Sequence, residues 1–196
     1  MVVQNRKFDG SCPLGFADLG EACPEIERVM AYGTSLNFTG APLPGYAGTR
    51  AWLHQSCVSS LKDIVAELAG QGFGLRLYDA YRPARAVKAM LNWARENDQW
   101  GLVEEGFLSE QSRHSKGCAV DVTLIDLATG EALDMGTDWD AFTPHSYSAW
   151  GEGLVRLNRV RLREPFVSRG WRAAKTEWWH FDLEHPGLER LDVAYT

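Results

Sequence analysis

Apolar residues recur at helical spacing in one long segment of the chain. Val58, Leu61, Val65 and Leu68 are separated by three or four positions, which predicts a helix over residues 56–69. Two glycines follow closely, and glycine commonly ends a helix because it adopts left-handed backbone angles without strain. The segment is therefore predicted to be one helix with a defined C-terminal end.

Prolines indicate where two further helices begin or are disturbed. Pro83 suits the first turn of a helix, because the amide hydrogen that proline lacks has no helical partner there. We expect that helix to run to about Asn97. Residues 153–168 are also predicted to be helical, but Pro165 should kink or break this helix because it removes a backbone donor.

Short apolar runs predict the strands. They lie at residues 75–78, at 119–125 with the sequence AVDVTLI, and at 178–183. Thr129 and Gly130 form a turn signal, which favours a hairpin after the second of these strands. Helices and strands do not alternate regularly, so we predict an α+β fold with a mainly antiparallel sheet.

Length and composition narrow the class of protein. The 196 residues fit a single domain spanning residues 1–196, and 45% hydrophobic with 23% charged residues is typical of a globular protein. No apolar run reaches the length of a transmembrane helix. The net charge is −6 without a basic stripe, which argues against nucleic-acid binding. A run of arginines on the third predicted helix is expected to form a solvated face: Arg156, Arg159, Arg161 and Arg163.

The cysteines bear on the redox environment. Cys12, Cys23, Cys57 and Cys118 form no CxxC pair, which gives no support to a zinc ribbon or a redox site. We read no secretory signal in residues 1–15. We therefore predict four reduced thiols in a cytoplasmic protein, and a Cys12–Cys23 disulfide is an alternative that no motif indicates.

The segment SRHSKGCAVD, residues 112–121, carries two candidate metal ligands. His114 and Asp121 are seven positions apart, and on one straight strand an odd separation would put them on opposite faces. Gly117 lies between them and can supply a turn that folds His114 back beside Asp121. An aspartate within an apolar strand is costly to bury unless it is paired or bound to a metal.

A second polar pair, Glu177 and His180, lies within the aromatic segment EWWHFD, residues 177–182. With His114 and Asp121, His180 gives three ligands, the number that catalytic zinc sites use while the fourth position is left to water. Such an ion lowers the pKa of water and polarises a carbonyl. Glu177 would then move the proton. Each residue alone is more often structural, but the joint pattern SxHxxGxAxD followed by ExxH is far more specific than its parts.

These two segments resemble the zinc-dependent D-alanyl-D-alanine dipeptidases, the family that includes the enzyme used in vancomycin resistance. Three further blocks are similar to family segments: YGTSLNFTG (residues 32–40), YDAYRP (78–83) and LDMGTDWD (133–140). The resemblance covers about residues 30–183. It implies a D,D-peptidase/hedgehog-like fold, in which one α+β domain has a mainly antiparallel sheet that carries a single zinc ion (Zn2+) and is flanked by helices.

The resemblance also implies roles. The family's metal ligands fall on His114, Asp121 and His180, its general base falls on Glu177, and the arginine of its YDAYRP motif falls on Arg82. A guanidinium there offers a fixed positive charge to the tetrahedral oxyanion. The alternative for this arginine is a buried structural ion pair with the aspartate of the same motif.

Substrate contacts carry over as well. Asp140 would meet the free amino group of a dipeptide with Tyr32 beside it, and Ser112 and Tyr46 would approach the carboxylate. A longer peptide would leave buried charges unpaired, which is a physical reason for dipeptide selectivity. The alternatives are a solvated hairpin turn for the aspartate and core or loop packing for the tyrosines. His145 is expected at the surface.

Three functions compete at this level. The favoured one is hydrolysis of D-Ala-D-Ala to two D-alanines. The second is a D,D- or L,D-carboxypeptidase or endopeptidase of the same fold that acts on peptidoglycan stem peptides. The third is a zinc-binding module without catalysis. Glu177 and Arg82 favour an enzyme, and Asp140 favours a small dipeptide with a free amino group, with no nucleic-acid or membrane partner.

Overall fold

The structure, a computed structural model, describes Val2, Val3 and residues 12–195. Most of the segment in which we read no secretory signal lies outside the described residues. Strands and helices follow in this order: β1 (Val2–Val3), β2 (Phe16–Asp18), α1 (Leu19–Ala22), β3 (Glu27–Arg28), β4 (Trp52–His54), α2 (Gln55–Gly70), β5 (Phe73–Asp79), α3 (Ala84–Glu96), α4 (Gly101–Glu104), β6 (Ala119–Asp126), α5 (Gly153–Val167), β7 (Arg172–Ala173), β8 (His180–Asp182) and β9 (Arg190–Leu191). Within this described part, no helix has both the length and the apolar character needed to cross a bilayer.

The principal sheet has five strands in the order β3-β5-β6-β8-β7. The fold is α+β, as predicted, but the prediction of a mainly antiparallel sheet was wrong, because β3 runs parallel to β5 and the sheet is mixed. Parallel pairing requires a long crossover. The chain provides it between β3 and β5, where residues 29–72 include α2. Two smaller pairs, parallel β1–β9 and antiparallel β2–β4, complete the described strands.

The first two predicted helices and the hairpin are confirmed. α2 buries Leu61, Ile64 and Leu68 in the hydrophobic core. α3 begins directly after Pro83, which occupies the N-cap position. The hairpin follows β6, where the amide of Asp126 donates to the carbonyl of Glu131 at 2.9 Å.

The third helix, α5, continues through Pro165, so the predicted break at this residue was wrong. The proline lies in the last turn of α5. Only one helical hydrogen bond has no donor there, the bond to the carbonyl of Arg161, and the helix ends at Val167. Proline therefore destabilises the helix little at this position, because few backbone hydrogen bonds follow it.

The arginines of α5 do not form one solvated face. Arg156 and Arg163 are exposed and Arg161 is half-buried, whereas Arg159 is only 4% exposed. The guanidinium of Arg159 donates to backbone carbonyls of the segment before α5. The expectation of a solvated face was therefore wrong at this position, because backbone acceptors replace water around the charge.

All four cysteines are free thiols, as predicted. Burial raises the pKa of the Cys12 thiol to about 12 and that of Cys57 to about 11. Both thiols are therefore protonated at neutral pH, which makes them poor nucleophiles and poor metal ligands.

Gly117 forms the turn that the sequence predicted between the two candidate ligands. It ends the 3-10 turn Arg113–Lys116 with φ of 69°. Its amide donates to the carbonyl of His114 at 2.9 Å. A Cβ at this position would overlap the ring of Phe16 on β2. The turn therefore requires glycine for both its backbone angle and the space it leaves.

We expect Gly117→Ala to lower the free energy of unfolding by about 2–4 kcal/mol, since the left-handed angle and the overlap with Phe16 each cost energy. Gly130→Ala is the matched control, because Gly130 has φ of 76° with no atom within 4 Å of the added Cβ. That variant should lose only about 1–2 kcal/mol. Urea denaturation measures both. Equal losses in the two variants would contradict the steric role of Phe16.

Candidate active site

Three titratable side chains lie in one row across the centre of the principal sheet. Asp121 on β6 is paired in register with Asp79 on β5 and with His180 on β8. Residues directly opposite each other on neighbouring strands project from the same face of a sheet. The pairing of the strands therefore brings together two of the three predicted metal ligands, with a second carboxylate beside them.

His114 completes the predicted ligand set from the turn before β6. Its Nε2 lies 3.0 Å from Nδ1 of His180 and 3.3 Å from Oδ1 of Asp121. Nδ1 of His180 lies 3.0 Å from the same carboxylate oxygen. His114 and Asp121 are buried, and His180 is partly exposed. The geometry confirms that the turn folds His114 back beside Asp121.

These three atoms could hold one metal ion. They form a triangle, here called the ligand triangle, whose edges are the three distances given above. A tetrahedral ion with bonds of about 2.0–2.1 Å separates its ligand atoms by about 3.3–3.4 Å, which is close to these edges. Burial raises the pKa of Asp121, but His114 and His180 lower it well below its usual value. The oxygen donor is therefore ionised at neutral pH, as a metal ligand must be.

Each histidine of the triangle contacts a further acceptor on the side away from it. Nδ1 of His114 donates to the carbonyl of Ala80 at 2.7 Å, which leaves Nε2 free to act as a ligand. Nε2 of His180 lies 3.8 Å from Oδ2 of Asp182. Arg172 holds that carboxylate at 2.6 Å. The hydrogen bond to Ala80 thus orients the imidazole of His114 before any ion binds.

Arg82 connects the triangle to the rest of the row. Its Nε donates to Asp79 at 2.8 Å, and its terminal nitrogen lies 3.3 Å from Oδ2 of Asp121. The guanidinium carbon lies 4.7 Å from the ring centre of Tyr32. The ion pair with Asp79, which was the alternative interpretation of Arg82, is therefore present. The same guanidinium also lines the cavity beside the triangle.

The triangle opens into a cavity of about 260 Å³. This volume is close to the lower end of the range that is typical of small-molecule sites. Eight of the nine predicted site residues line it: His114, Asp121, His180, Glu177, Arg82, Asp140, Ser112 and Tyr32. The structure therefore brings these residues together around one space, although they come from five separate segments of the chain.

Two carboxyl groups of the cavity have raised pKa values. Burial raises the pKa of Glu177 to about 7. Burial also raises the pKa of Asp140 well above its usual range, against the opposing effect of the Tyr32 hydroxyl, which donates to Asp140 at 2.7 Å. Carboxyl groups in such surroundings accept a proton or a cationic partner readily.

Tyr46, the ninth predicted residue, lies behind the cavity. Its hydroxyl donates to Oδ1 of Asp79 at 2.7 Å, so it contacts the carboxylate that holds Arg82. His145 is exposed, as predicted, and its ring lies against Trp150 with the centres 4.5 Å apart.

Two supporting carboxylates were not among the predicted site residues. Asp79 was expected only as a possible partner of Arg82, yet it also lies 3.4 Å from Nδ1 of His114. Asp182 was not singled out. Its position two residues after His180 on a strand was a usable signal, because residues two apart on a strand share a face.

Comparisons with known proteins identify the family of this chain. A family profile described as D-Ala-D-Ala dipeptidase matches residues 13–195. The D-alanyl-D-alanine dipeptidase of Enterococcus faecium is 35% identical to this chain, with 87% of this chain and 92% of that protein covered. The dipeptidase of Enterococcus faecalis is 33% identical, with 86% and 91% covered.

The likeness to solved structures is weaker. The crystal structure of a vancomycin-resistance D,D-dipeptidase, in complex with a D-Ala-D-Ala phosphinate analogue, matches with a TM-score of 0.46 and 15% identity. The match covers 70% of this chain and 53% of the other. At this distance the likeness supports no inference.

The raised pKa of Glu177 has a consequence for stability. Between pH 4.5 and about pH 7 the folded carboxyl keeps a proton that the unfolded chain releases, so its contribution lowers stability as pH rises through this window. We therefore expect Glu177→Gln to raise the free energy of unfolding of the metal-free protein by roughly 1–3 kcal/mol at pH 8, and by less at pH 5.

Urea denaturation at the two pH values measures this effect. Glu131→Gln is the control, since Glu131 is exposed on the hairpin and its replacement should change stability little at either pH. A gain for Glu177→Gln that is the same at pH 5 and pH 8 would show that the carboxyl is not held in its protonated form by burial.

Proposed function

Since the chain belongs to the D-Ala-D-Ala dipeptidase family, we propose that it hydrolyses D-alanyl-D-alanine to two molecules of D-alanine with one zinc ion held by His114, Asp121 and His180. The observation that carries this proposal is the small cavity, in which a three-atom ligand triangle faces Glu177 and Arg82. We propose that residues 1–196 form one catalytic domain.

Zinc, when bound, would polarise the scissile carbonyl and lower the pKa of a water molecule. In our proposal Glu177 is the general base and then the general acid. Its carboxylate takes the proton of the attacking water and passes it to the leaving amine. A pKa near neutrality suits both transfers, because the group can accept and release a proton at the same pH.

We propose that Arg82 stabilises the oxyanion that forms as the carbonyl is attacked. The guanidinium is buried and held from behind by Asp79, which Tyr46 holds in turn. Its position is therefore set before the substrate arrives, and a preorganised charge stabilises a transition state at little further cost. Tyr46 then acts by positioning, through Asp79, and not by contact with the substrate.

The polar groups of the cavity suit a substrate with two charged ends. We propose that Asp140 binds the free amino group of the substrate, and that the Tyr32 hydroxyl holds the carboxylate of Asp140 in place. We also propose that Ser112 donates to the carboxylate of the substrate. A longer peptide or a blocked amino group would leave Asp140 buried without a cationic partner, which is costly. We also propose a cytoplasmic location, which the four free thiols support.

A panel of dipeptides tests the proposed reaction. The zinc-loaded protein should release D-alanine from D-Ala-D-Ala, and it should act poorly on L-Ala-L-Ala and on a peptidoglycan pentapeptide stem. Released alanine is measured by chromatography. Equal or faster turnover of the L,L dipeptide would contradict the stereochemical part of the proposal. Turnover of the stem at the rate of the dipeptide would favour an enzyme that trims stem peptides.

Two variants separate catalysis from metal binding. Glu177→Ala should keep about one zinc ion per chain and lose on the order of 10²–10⁴-fold in kcat, because the proton acceptor is removed while the ligands remain. Asp121→Ala should lose zinc as well as turnover. Metal content is measured by mass spectrometry of the purified variants. Full activity of Glu177→Ala would remove Glu177 as the base, and zinc retained by Asp121→Ala would remove Asp121 as a ligand.

A further inference from the structure

We propose that Arg159 is a positioning residue for the active site, whose guanidinium fixes the backbone of residues 134–150 and thereby places Asp140 and Glu177. Arg159 lies on α5 and outside the cavity, so its effect is exerted through other residues. The inference rests on the proposed function for its kinetic part, and it has a structural part that can be tested without any turnover.

The guanidinium of Arg159 uses all five of its N–H groups on backbone carbonyls. Nε and one terminal nitrogen donate to Met135, and the same terminal nitrogen donates to His145 at 2.9 Å. The other terminal nitrogen donates to Tyr147 at 2.8 Å and to Trp150 at 3.1 Å. One side chain thus ties together the two ends of the segment that precedes α5.

Arg159 forms no ion pair within 4.0 Å among the described residues, and the nearest acidic influence on its charge is that of the exposed Asp134. Burial lowers its pKa to about 10, so the group remains protonated at neutral pH. The rings of Trp150 and Trp178 lie near the guanidinium carbon, at 5.4 and 5.8 Å from their centres. A buried cation is costly to desolvate, so the carbonyl dipoles must compensate for it. The carbonyl groups compensate for the charge only while the backbone of residues 134–150 keeps this conformation.

The segment held by Arg159 also holds the backbone around Glu177. The amide of Trp178 donates to the carbonyl of Ser146 at 3.0 Å, and the amide of Ser148 donates to the carbonyl of Lys175 at 3.0 Å. The Ser148 hydroxyl donates to the carbonyl of Ala174 at 2.5 Å, and the carbonyl oxygen of Glu177 lies 3.3 Å from the same hydroxyl. Residues 145–148 therefore lie between Arg159 on one side and the loop that carries the proposed base, residues 174–178, on the other.

Asp140 lies between the two anchored ends of the same segment. Its φ is 57° and that of Phe142 is 44°, in the left-handed region that residues other than glycine seldom adopt. Backbone angles of this kind persist only where the surroundings determine them. Arg159 helps to hold these backbone angles, since it binds the carbonyl of Met135 on one side of Asp140 and that of His145 on the other.

The test compares Arg159→Lys and Arg159→Met with Arg163→Met. Lysine keeps the positive charge but cannot reach four carbonyls with one ammonium group. Methionine removes the charge and keeps most of the apolar stem. Arg163 lies one turn further along α5, is exposed, and has no role in the proposed machinery. Zinc content, the kinetics of D-Ala-D-Ala hydrolysis and amide hydrogen exchange are measured for each protein.

We expect Arg159→Lys to bind zinc normally, to raise KM several-fold because Asp140 is displaced, and to lower kcat about tenfold because Glu177 is displaced. Amide exchange should accelerate at residues 145–148 and at Trp178, and stay unchanged in β5 and β6. Arg163→Met should match the wild type in every measurement. Should Arg159→Met fail to fold, Arg159→Lys alone decides.

Kinetics within twofold of the wild type, or unchanged exchange at residues 145–148 and Trp178 in Arg159→Lys, would overturn the proposal. Faster exchange spread evenly over the whole protein would overturn it as well, since that result indicates a purely global effect on stability. If the wild-type protein does not hydrolyse D-Ala-D-Ala, the proposed function fails, and the exchange measurement still decides the structural role of Arg159.

Discussion

Two carboxylates lie opposite each other on adjacent buried strands, and the site depends on how their charge is balanced. Asp79 is fully buried and Asp121 is 2% exposed. Arg82 contacts both, and the two histidines of the triangle contact Asp121 from the other side. Like charges this close in a poorly solvated interior are unfavourable without such partners. Arg82 therefore stabilises the folded protein by balancing these charges, whatever part it has in a reaction.

The clustering of the proposed ligands and the proposed base could be predicted from the sequence, because these residues lie in two short segments whose spacing and turn residue carry the information. The other predicted residues of the cavity were expected from the family resemblance. Gly117 is the clearest example, since a single residue indicated how a histidine and an aspartate seven positions apart could meet. The sequence did not indicate the parallel strand β3, which is two residues long and has no apolar pattern. Nor did it reveal the role of Tyr46, which depends on what lies behind Arg82.

Arg159 shows a second limit of sequence analysis. Its neighbours in the chain are charged and α5 has a weak apolar pattern, so exposure was the natural expectation. The partners of its side chain are backbone carbonyls, which every residue possesses and which therefore leave no mark in a sequence. The same holds for Ala80, whose carbonyl orients His114. Functional positions that act on the backbone are visible only in three dimensions.

The choice of carbonyl partners by Arg159 has an evolutionary consequence. Since the guanidinium contacts no side chain of Met135, His145 or Tyr147 through its hydrogen bonds, those side chains can be exchanged while the course of the segment is kept. The segment can thus diverge among related proteins and alter the mouth of the cavity without moving Asp140. One arginine that binds the backbone would then permit variation in substrate range around an unchanged centre.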